Sequence, residues 1–325
     1  MEPVVIILNP AAGRGKAGAA LGRVQAWVRR WAPEVAIRVT EAPGHAAEIT
    51  RQAPSEARVV ALGGDGTVHE VLGALGPRQK LGIVPIGSGN DIARMAGLLR
   101  LGLEKSLATA VWGELRRFDY GVINGEPFAS SATAGLDAAV ARRAFAAPHY
   151  LRGLPRYLWA LVGELRYLDL PQARIAVDGR EVYQGPMLIA AVMNSRTYGG
   201  GFLIAPMAQA HDARLDLIWA GSFNRLGVMG ILPRLVVGKH LSHPRVGHAP
   251  GRRFLAEFDR EVPLQADGEL LKPSRQMEVL VRPGELLIAS DPRASITNPL
   301  LAAEKELQIK GAKTPAVGYV PGDGA

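Results

Sequence analysis

The chain has 325 residues, of which 48% are hydrophobic and none is cysteine. Its length allows two domains that each bury a core, and its hydrophobic content excludes an intrinsically disordered protein. Without cysteine it has no disulfide, no thiolate metal site and no thiol nucleophile. A formal net charge of +8 predicts attraction to phosphate groups, whether on nucleotides, nucleic acid or anionic lipids.

The sequence predicts neither a targeting segment nor a membrane span. Residues 1–10 lack the basic region and long apolar run of a secretory signal. The longest apolar stretch, residues 226–238, is interrupted by Pro233 and Arg234 and is too short to cross a bilayer. We therefore expect a cytoplasmic protein.

The first 123 residues alternate between strand and helix patterns. Short apolar runs predict strands at residues 4–8, 35–39, 57–62 and 81–86. Helical patterns follow them at residues 21–31, 45–53, 68–75 and 91–99. Such alternation is typical of parallel βαβ units, so we predict a three-layer α/β domain with a parallel sheet over residues 1–123.

The pattern changes from residue 124. Apolar runs joined by turns predict a mostly antiparallel, β-rich domain over residues 124–290. Its expected strands lie within residues 174–179, 187–194, 215–220, 254–259 and 277–283. Residues 291–325 form a C-terminal extension whose turn-rich end predicts a mobile tail.

Three glycine-containing corners follow predicted parallel strands: NPAAGRGK at residues 9–16, LGGDGTVHE at 62–70 and PIGSGND at 85–91. Glycine lets the backbone turn tightly and bring its N–H groups close to an anion. The carboxyl ends of parallel strands are also where open α/β sheets bind ligands. Thr67 and Glu70 match a T-x-x-E capping box, which predicts a helix N-terminus suited to phosphate.

Asp65 adds a negative charge to the second corner. A carboxylate repels bound phosphates unless a divalent cation or a proton lies between them, so this corner predicts a nucleotide site with a metal-directed acid. For any single corner, the alternative is an ordinary tight turn that prefers Gly and Asp. The first corner lacks the Walker A spacing, and no dinucleotide fingerprint follows the first strand.

In this order and spacing, NPAAG, GGDGTVHEV and PIGSGND closely resemble the diacylglycerol kinase catalytic domain. That family includes bacterial lipid kinases, sphingosine kinases and ceramide kinases, and its fold is related to that of NAD kinases. The resemblance covers residues 1–290 and implies a nucleotide domain, a β-rich domain and a cleft between them, with ATP as phosphoryl donor and Mg²⁺. It implies that these residues contact ATP: Asn9, Pro10, Ala11, Ala12, Gly13, Thr40, Gly63, Gly64, Asp65, Gly66, Thr67, Ser88 and Asn90. Ser88 stands where many relatives have Thr, and the hydroxyl survives the exchange.

The segment LQADGELL, residues 264–271, resembles the family's D-G-E motif, which lies near the transferred phosphate. The resemblance implies that Asp267 or Glu269 takes the proton of the acceptor hydroxyl, and that both organise water and magnesium with Asp65. Asp119, in FDYG, matches a further family acid that joins this network. Considered alone, Asp-Gly between two apolar runs also fits a hairpin turn, and the choice of base stays open.

A second magnesium site is implied by PMAQAHDARLDL, residues 206–217, which resembles a segment that holds a structural ion in bacterial relatives. Asp212 would be the side-chain ligand, and Gln209 and Arg214 would contribute main-chain oxygens. Relatives often have two acids followed by Gly, whereas this chain has His211-Asp212-Ala213. Hard cations prefer oxygen, so the missing acid weakens this inference, and Asp212 fits a turn residue equally well.

Two segments are candidates for contact with lipid. Residues 150–170 place Leu151, Leu154, Leu158, Leu161, Leu165 and Leu168 on one helical stripe with basic and aromatic residues beside it. Such a helix can rest on an anionic membrane, and the alternative is that the stripe packs on its own domain. Residues 226–248 resemble a G-x-H-x-x-H-P stretch of bacterial lipid kinases. The spacing of His240, His243 and His248 fits no familiar zinc site, so we expect a cleft wall or a membrane-facing surface.

We therefore predict an ATP- and Mg²⁺-dependent kinase that transfers the γ-phosphoryl group to a lipid hydroxyl, with diacylglycerol as the first candidate. Its partners would be a lipid acceptor and an anionic membrane surface, which it binds peripherally, and no nucleic acid; a homodimer is open. The alternatives are a sphingoid-base or other lipid kinase, an NAD kinase, and a nucleotide-binding regulator without turnover. Retention of Asp65, Asp267 and Glu269 argues against the regulator, because a binder does not need these acids.

Overall fold

A computed structural model describes residues 2–99, 101–148, 151 and 154–290 of the chain. The expected tail, residues 291–325, lies outside the described residues. The N-terminal strands are β1 (Val4–Leu8), β2 (Ala36–Val39), β3 (Arg58–Gly63) and β4 (Lys80–Pro85). The helices around them are α1 (Lys16–Ala19), α2 (Leu21–Trp31), α3 (His45–Gln52), α4 (Asp65–Leu72), α5 (Asp91–Met95) and α6 (Leu103–Trp112).

The four N-terminal strands form a parallel sheet in the order β4-β3-β1-β2. Successive side chains of β1 point to opposite faces, as a strand requires. Ile7 belongs to the core that includes residues of α3, α4 and α5, whereas Ile6 belongs to the core that includes residues of α2 and α6. The predicted three-layer arrangement is therefore confirmed, with α1 and α6 as additional helices.

The second half of the chain is dominated by antiparallel strands, as predicted. They are β5 (Glu114–Ile123), β6 (Glu126–Phe128), β7 (Ser131–Gly135), β8 (Gln172–Val177), β9 (Arg180–Pro186), β10 (Ile189–Met193), β11 (Thr197–Tyr198), β12 (Phe202–Leu203), β13 (Leu215–Ala220), β14 (Val246–Gly251), β15 (Arg253–Ala266) and β16 (Glu269–Ser290). Except for the short hairpin of β11 and β12, all belong to the same sheet as β1 to β4.

The long strand β16 connects the two halves. It leaves the hairpin with β15, pairs antiparallel with β5, and at Ile288 pairs parallel with Leu81 of β4. Ile288 and Phe118 of β5 are buried in the N-terminal core. The sequence analysis ended this strand near residue 283, so it missed the return of the chain to the first domain. This return fixes the hairpin turn at residues 267–268 relative to the N-terminal sheet.

The remaining helices are α7 (Leu136–Phe145), α8 (Leu154–Arg166) and α9 (Arg225–Val236), and a short 3₁₀ helix follows at Lys239–Ser242. Within the described part of the chain, no helix is both long enough and apolar enough to cross a membrane. The stripe predicted for residues 150–170 is partly buried: Leu161 and Leu165 lie in a core cluster, whereas Leu158 is exposed.

Candidate active site

The three glycine corners pack against one another at the carboxyl ends of β1, β3 and β4. In the first corner, Asn9 donates from Nδ2 to the Thr67 hydroxyl of the second corner at 3.0 Å and accepts the Ala11 N–H at 3.1 Å. Gly13 has φ +60°, and a Cβ placed on it would collide with the carbonyl oxygen of Ile86 in the third corner. The sequence requires Gly13 for both reasons.

The second and third corners touch through bare backbone. A Cβ on Gly87 would lie 2.6 Å from the Cα of Gly64, and a Cβ on Gly63 would collide with the Thr67 side chain. Larger residues would push the corners apart. The structure thus brings the predicted residues Asn9, Gly13, Gly63, Gly64, Thr67 and Asn90 into one rim of loops, which we call the glycine rim.

The other predicted nucleotide residues lie at or beside this rim. Pro10, Ala11 and Ala12 form the turn after β1, and Ser88 is exposed between the two glycines of the third corner. Thr40 follows β2, where it is buried and donates its N–H to the Leu8 carbonyl at 2.9 Å. Their contacts with a nucleotide stay predictions.

The capping-box prediction was wrong in detail. Helix α4 begins at Asp65 after Gly64, so Thr67 lies inside the first turn and not at its N-terminal cap. Glu70 instead accepts the Ala46 N–H at the start of α3, at 3.1 Å. Because Gly64 lets the chain enter the helix earlier, Thr67 is left to bind Asn9 and Glu70 to cap a neighbouring helix.

Asp65 fastens the second corner to the third. Its Oδ2 accepts the Asn90 N–H at 2.6 Å and its Oδ1 accepts the Asp91 N–H at 2.7 Å, where α5 begins. Burial raises the pKa of Asp65, the two backbone hydrogen bonds lower it in part, and the charge of Asp267 adds to the rise. The carboxylate is therefore oriented by backbone and crowded by a second acid.

Asp91 is a site residue that the sequence analysis did not select, although it ends the quoted third corner. Its Oδ2 accepts the Gly200 N–H at 3.1 Å, which joins the glycine rim to the loop between β11 and β12. Its Oδ1 is buried without a hydrogen-bond partner. Burial and the charge of Asp65 raise the pKa of Asp91 to about 6, against the opposing effects of the Gly200 hydrogen bond and Arg94. An acid in the first turn of a helix is ordinarily explained by its interaction with the helix dipole. Only the burial of Asp91, which the sequence does not show, distinguishes it from such an acid.

The Asp267-Gly268 pair forms a two-residue hairpin turn between β15 and β16, with φ +50° and +90°. The hairpin turn that Asp-Gly indicated is therefore present, and it lies in the segment that resembles the family's D-G-E motif. The buried Asp267 carboxylate accepts backbone N–H groups from Ala129 at 2.7 Å and from Ser130 and Ser131 at 2.7 and 3.0 Å. These bonds fasten the turn to the segment that enters β7.

Glu269 is the first residue of β16 and is exposed. Its Oε1 lies 2.6 Å from the position that a Cβ on Gly66 would occupy, so the carboxylate of the second domain rests on the backbone of the second glycine corner. A side chain at residue 66 would displace it. The structure therefore places Glu269 at the glycine rim.

His69, on the following turn of α4, faces the same acids. Its Nδ1 lies 3.7 Å from Oδ2 of Asp267, which is a charge interaction and not a hydrogen bond. Burial lowers the pKa of His69, but Asp267, with contributions from Glu269 and Glu126, raises it above its usual value. The sequence analysis quoted His69 within the second corner and gave it no role.

Asp119 lies apart from these contacts. In its buried carboxylate, Oδ2 accepts a hydrogen bond from the Ala213 N–H and Oδ1 accepts one from the Gly284 N–H, both at 2.7 Å. Asp119 thereby positions the loop of residues 209–214, in which Asp212 is exposed and accepts the Arg214 N–H at 3.1 Å. Its place in an acid network stays a prediction, and so does the magnesium site of Asp212, Gln209 and Arg214.

A matching family model decides the relationship of this chain to known proteins. Residues 3–123 match the model described as the diacylglycerol kinase catalytic domain. Residues 130–290 match the YegS C-terminal NAD kinase beta sandwich-like domain. The chain belongs to the diacylglycerol kinase catalytic-domain family.

Similar proteins that are named kinases support this membership over most of the chain. A protein named diacylglycerol kinase from Mycobacterium tuberculosis (strain H37Rv) is 31% identical over 288 residues, which cover 81% of this chain and 91% of that protein. One of the same name from Bacillus subtilis (strain 168) is 26% identical over 284 residues, 83% of this chain and 90% of that protein. These similarities make the chain a member of a kinase family.

Solved structures confirm the fold. A diacylglycerol kinase from Bacillus anthracis has a TM-score of 0.67 at 20% identity, covering 90% of this chain and 98% of that one. An NAD kinase from Archaeoglobus fulgidus, solved in complex with ATP, has a TM-score of 0.54 at 13% identity, covering 93% of this chain and 98% of that one. Both structures share the fold of this chain over at least 90% of its length.

The residues at the glycine rim are of the types that accompany magnesium and phosphates. No group of three or more His, Asp or Glu side chains in the described residues is arranged to bind a metal ion directly. Magnesium in phosphoryl-transfer sites is commonly held by one or two carboxylates together with substrate phosphates and water. Oδ1 of Asp91, which has no hydrogen bond and lies 3.7 Å from Arg94 Nε, and the charge repulsion between Asp65 and Asp91 fit such a site.

Proposed function

We propose that this member of the family is an ATP- and Mg²⁺-dependent lipid kinase that phosphorylates a lipid hydroxyl, with diacylglycerol as the most favoured acceptor. The contact between Glu269 and Gly66 carries the proposal, because it sets an exposed acid of the second domain at the glycine rim. A phosphoryl transfer needs a positioned donor, a positioned acceptor and a base within reach of the acceptor hydroxyl.

The glycine rim supports the donor half of the reaction. Its three corners lie at strand ends, and no side chain lies against Gly64, an arrangement that lets a polyphosphate approach the backbone. Bound Mg²⁺ would spread the negative charge of the transferred group, and Asp65 and Asp91 are the residues that would hold it. The relatives' kinase names support ATP as donor.

Glu269 is proposed as the base, and Asp267 as a residue that positions it. Three backbone N–H groups already occupy the Asp267 carboxylate, so its oxygens hold the turn in place. Glu269 is exposed and stands on the turn that Asp267 fastens. His69 faces this turn from α4, and its protonated form would balance part of the negative charge of the turn.

In the proposed reaction, the oxygen of the acceptor hydroxyl forms a bond to the γ-phosphorus while the bond from that phosphorus to the bridging oxygen breaks. ADP leaves with the bonding electrons, and the hydroxyl proton passes to the Glu269 carboxylate. The acceptor must approach from the β-rich half, because the glycine rim occupies the other side of Glu269.

Two observations favour a lipid acceptor over NAD. Relatives that cover most of this chain are named diacylglycerol kinase or lipid kinase. The β-rich half also exposes large apolar side chains on two helices, including Val162 and Leu226. We propose that the protein works at the surface of an anionic membrane, to which its positive charge draws it.

The test is a transfer assay with γ-labelled ATP and purified protein. Diacylglycerol, sphingosine and ceramide are offered separately in mixed micelles, and NAD is offered in solution, each with and without Mg²⁺. Label on diacylglycerol that requires Mg²⁺ and disappears in Glu269→Gln supports the proposal. Label on NAD alone, or ATP consumption without any labelled acceptor, contradicts it.

A further inference from the structure

Helices α8 and α9 pack side by side on the β-rich half. Leu161 and Leu165 of α8 share a buried cluster with Val228 and Ile231 of α9. The Arg225 guanidinium at the start of α9 donates to the Arg166 carbonyl at the end of α8, at 2.8 Å. The two helices therefore meet through this buried cluster and at the end of α8.

The outer side of α9 is apolar although nothing in the described structure covers it. Leu226, Met229 and Val237 at its end are 82%, 46% and 58% exposed, and their spacing keeps them on the side opposite Val228 and Ile231. A helix that is apolar on both sides is usually buried on both sides. We call this outer side, with exposed Val162 and Tyr157 of α8, the outer apolar face.

A shallow groove extends this face at the junction of the two helices. Leu168 and Leu170 line one part of it, and Phe223 and Leu226 line another, with the Arg225 side chain contributing to the lining. Contiguous apolar surface of this kind marks an interaction site more often than isolated apolar residues do.

The charge along α9 and the segments next to it is of one sign. Residues 217–256 contain no Asp or Glu, and their six Lys and Arg residues include Arg225 and Arg234 on α9 and Lys239 immediately after it. All three of these side chains belong to exposed residues. On α8 and beside the groove, the acids Glu164 and Asp169 are paired with Arg143 and Arg260. An apolar helix whose own charged residues are all cations fits a partner with an apolar interior and an anionic surface.

The inner side of α9 packs near the candidate active site. Leu235 of α9 packs in a cluster with Phe202 of β12, and the loop before β12 donates the Gly200 N–H to Asp91. A partner bound at α9 is thus one hairpin away from the glycine rim.

We propose that the outer apolar face docks the protein on an anionic lipid bilayer, with Leu226 and Met229 inserted among the lipids and the flanking cations at the headgroups. This inference rests on the proposed function, because docking would deliver a lipid acceptor to Glu269. A second copy of the chain is the competing occupant, and nucleic acid is disfavoured because the centre of the face is aliphatic.

The test is co-sedimentation with vesicles in the absence of nucleotide. Wild type, the double variant Leu226→Glu/Met229→Glu, and the control Trp31→Glu are compared on vesicles of phosphatidylcholine with phosphatidylglycerol and on vesicles of phosphatidylcholine alone. Trp31 is an exposed apolar residue beside Arg30 on α2, so it matches the surroundings of Leu226 in the other domain. All three positions are exposed, and melting temperatures verify that the variants fold.

We expect the double variant to bind anionic vesicles about tenfold more weakly or worse, since each inserted side chain is withdrawn from water. Trp31→Glu should bind like wild type, and salt should weaken wild-type binding. Equal binding by wild type and the double variant, or equal wild-type binding to neutral and anionic vesicles, overturns the proposal. So does a wild-type dimer that the double variant dissociates while vesicle binding persists.

Failure of the proposed function is distinguishable from failure of this inference. Turnover of lipid in detergent micelles does not require docking, so the double variant should keep micellar turnover and lose turnover on vesicles. If wild type phosphorylates no lipid in either format but binds vesicles through Leu226 and Met229, the kinase proposal fails and the docking face stands.

Discussion

Replacing Asp91 by Asn should stabilise the nucleotide-free protein in the absence of divalent cations. Burial and neighbouring charge raise the pKa of Asp91 from an ordinary 3.8 to about 6, so the folded protein disfavours its ionised form. At 1.36 kcal/mol per pH unit, this difference corresponds to about 3 kcal/mol of lost stability once the carboxylate is ionised in both states. Asn can still accept the Gly200 N–H, so the hydrogen bond need not be lost.

The sign of the pH dependence follows from the raised pKa. Below pH 3.8 Asp91 is protonated in both states and costs nothing; the cost grows as pH rises towards 6 and is complete above it. The gain from Asp91→Asn should therefore be about 2 to 3 kcal/mol at pH 8 and roughly half of that at pH 5. Urea unfolding with EDTA at both pH values measures it.

The control is Asp178→Asn. Asp178 is an exposed carboxylate that accepts two backbone N–H groups, and Asn tolerates its positive φ, so its replacement should change stability by less than about 0.5 kcal/mol at either pH. A loss of stability in Asp91→Asn, or a gain of equal size at pH 5 and pH 8, would refute the conclusion that the fold raises the pKa of Asp91 and disfavours its ionised form.

Three further substitutions test the site. Asp267→Ala should lower stability by about 2 to 4 kcal/mol in thermal or urea unfolding, because it leaves three buried N–H groups unpaired. Glu269→Gln should change stability little and stop turnover. Equal stability of the two variants would contradict this prediction. Gly66→Ala should reduce kcat at least about tenfold without lowering the melting temperature, because the new Cβ displaces Glu269. The control Gly73→Ala, at the end of the same helix, should keep kcat. An unchanged kcat in both variants would show that Glu269 does not take part in the reaction. Gly13→Ala should cost about 1 to 3 kcal/mol of unfolding free energy through its positive φ and the clash with Ile86, whereas Gly22→Ala, which meets open space in α2, should be neutral or stabilising.

Elements with strong local patterns were predictable from the sequence. The helix at Leu21–Trp31 and the strand at Leu215–Ala220 have the expected bounds, because apolar periodicity and flanking turns specify them locally. The return of β16 to β4 was not predictable, since it depends on pairing between residues 81 and 288, far apart in the chain.

The candidate site divides in the same way. The glycine corners were predictable from their composition, and the family resemblance indicated Asp267 and Glu269. What separates these two acids is tertiary: the three amides that bind Asp267 come from residues 129–131, and no local pattern around residue 267 encodes them. Asp91 was missed for the same reason, because its burial beneath the loop of Gly200 appears only in the fold.

A crystal structure of the protein with Mg²⁺ and a non-hydrolysable ATP analogue tests the central claim most directly. We predict that the phosphates lie on the glycine rim and that the γ-phosphate lies beside the Glu269 carboxylate, where that carboxylate contacts the second corner. A nucleotide bound elsewhere, or a γ-phosphate out of reach of Glu269, would contradict the account.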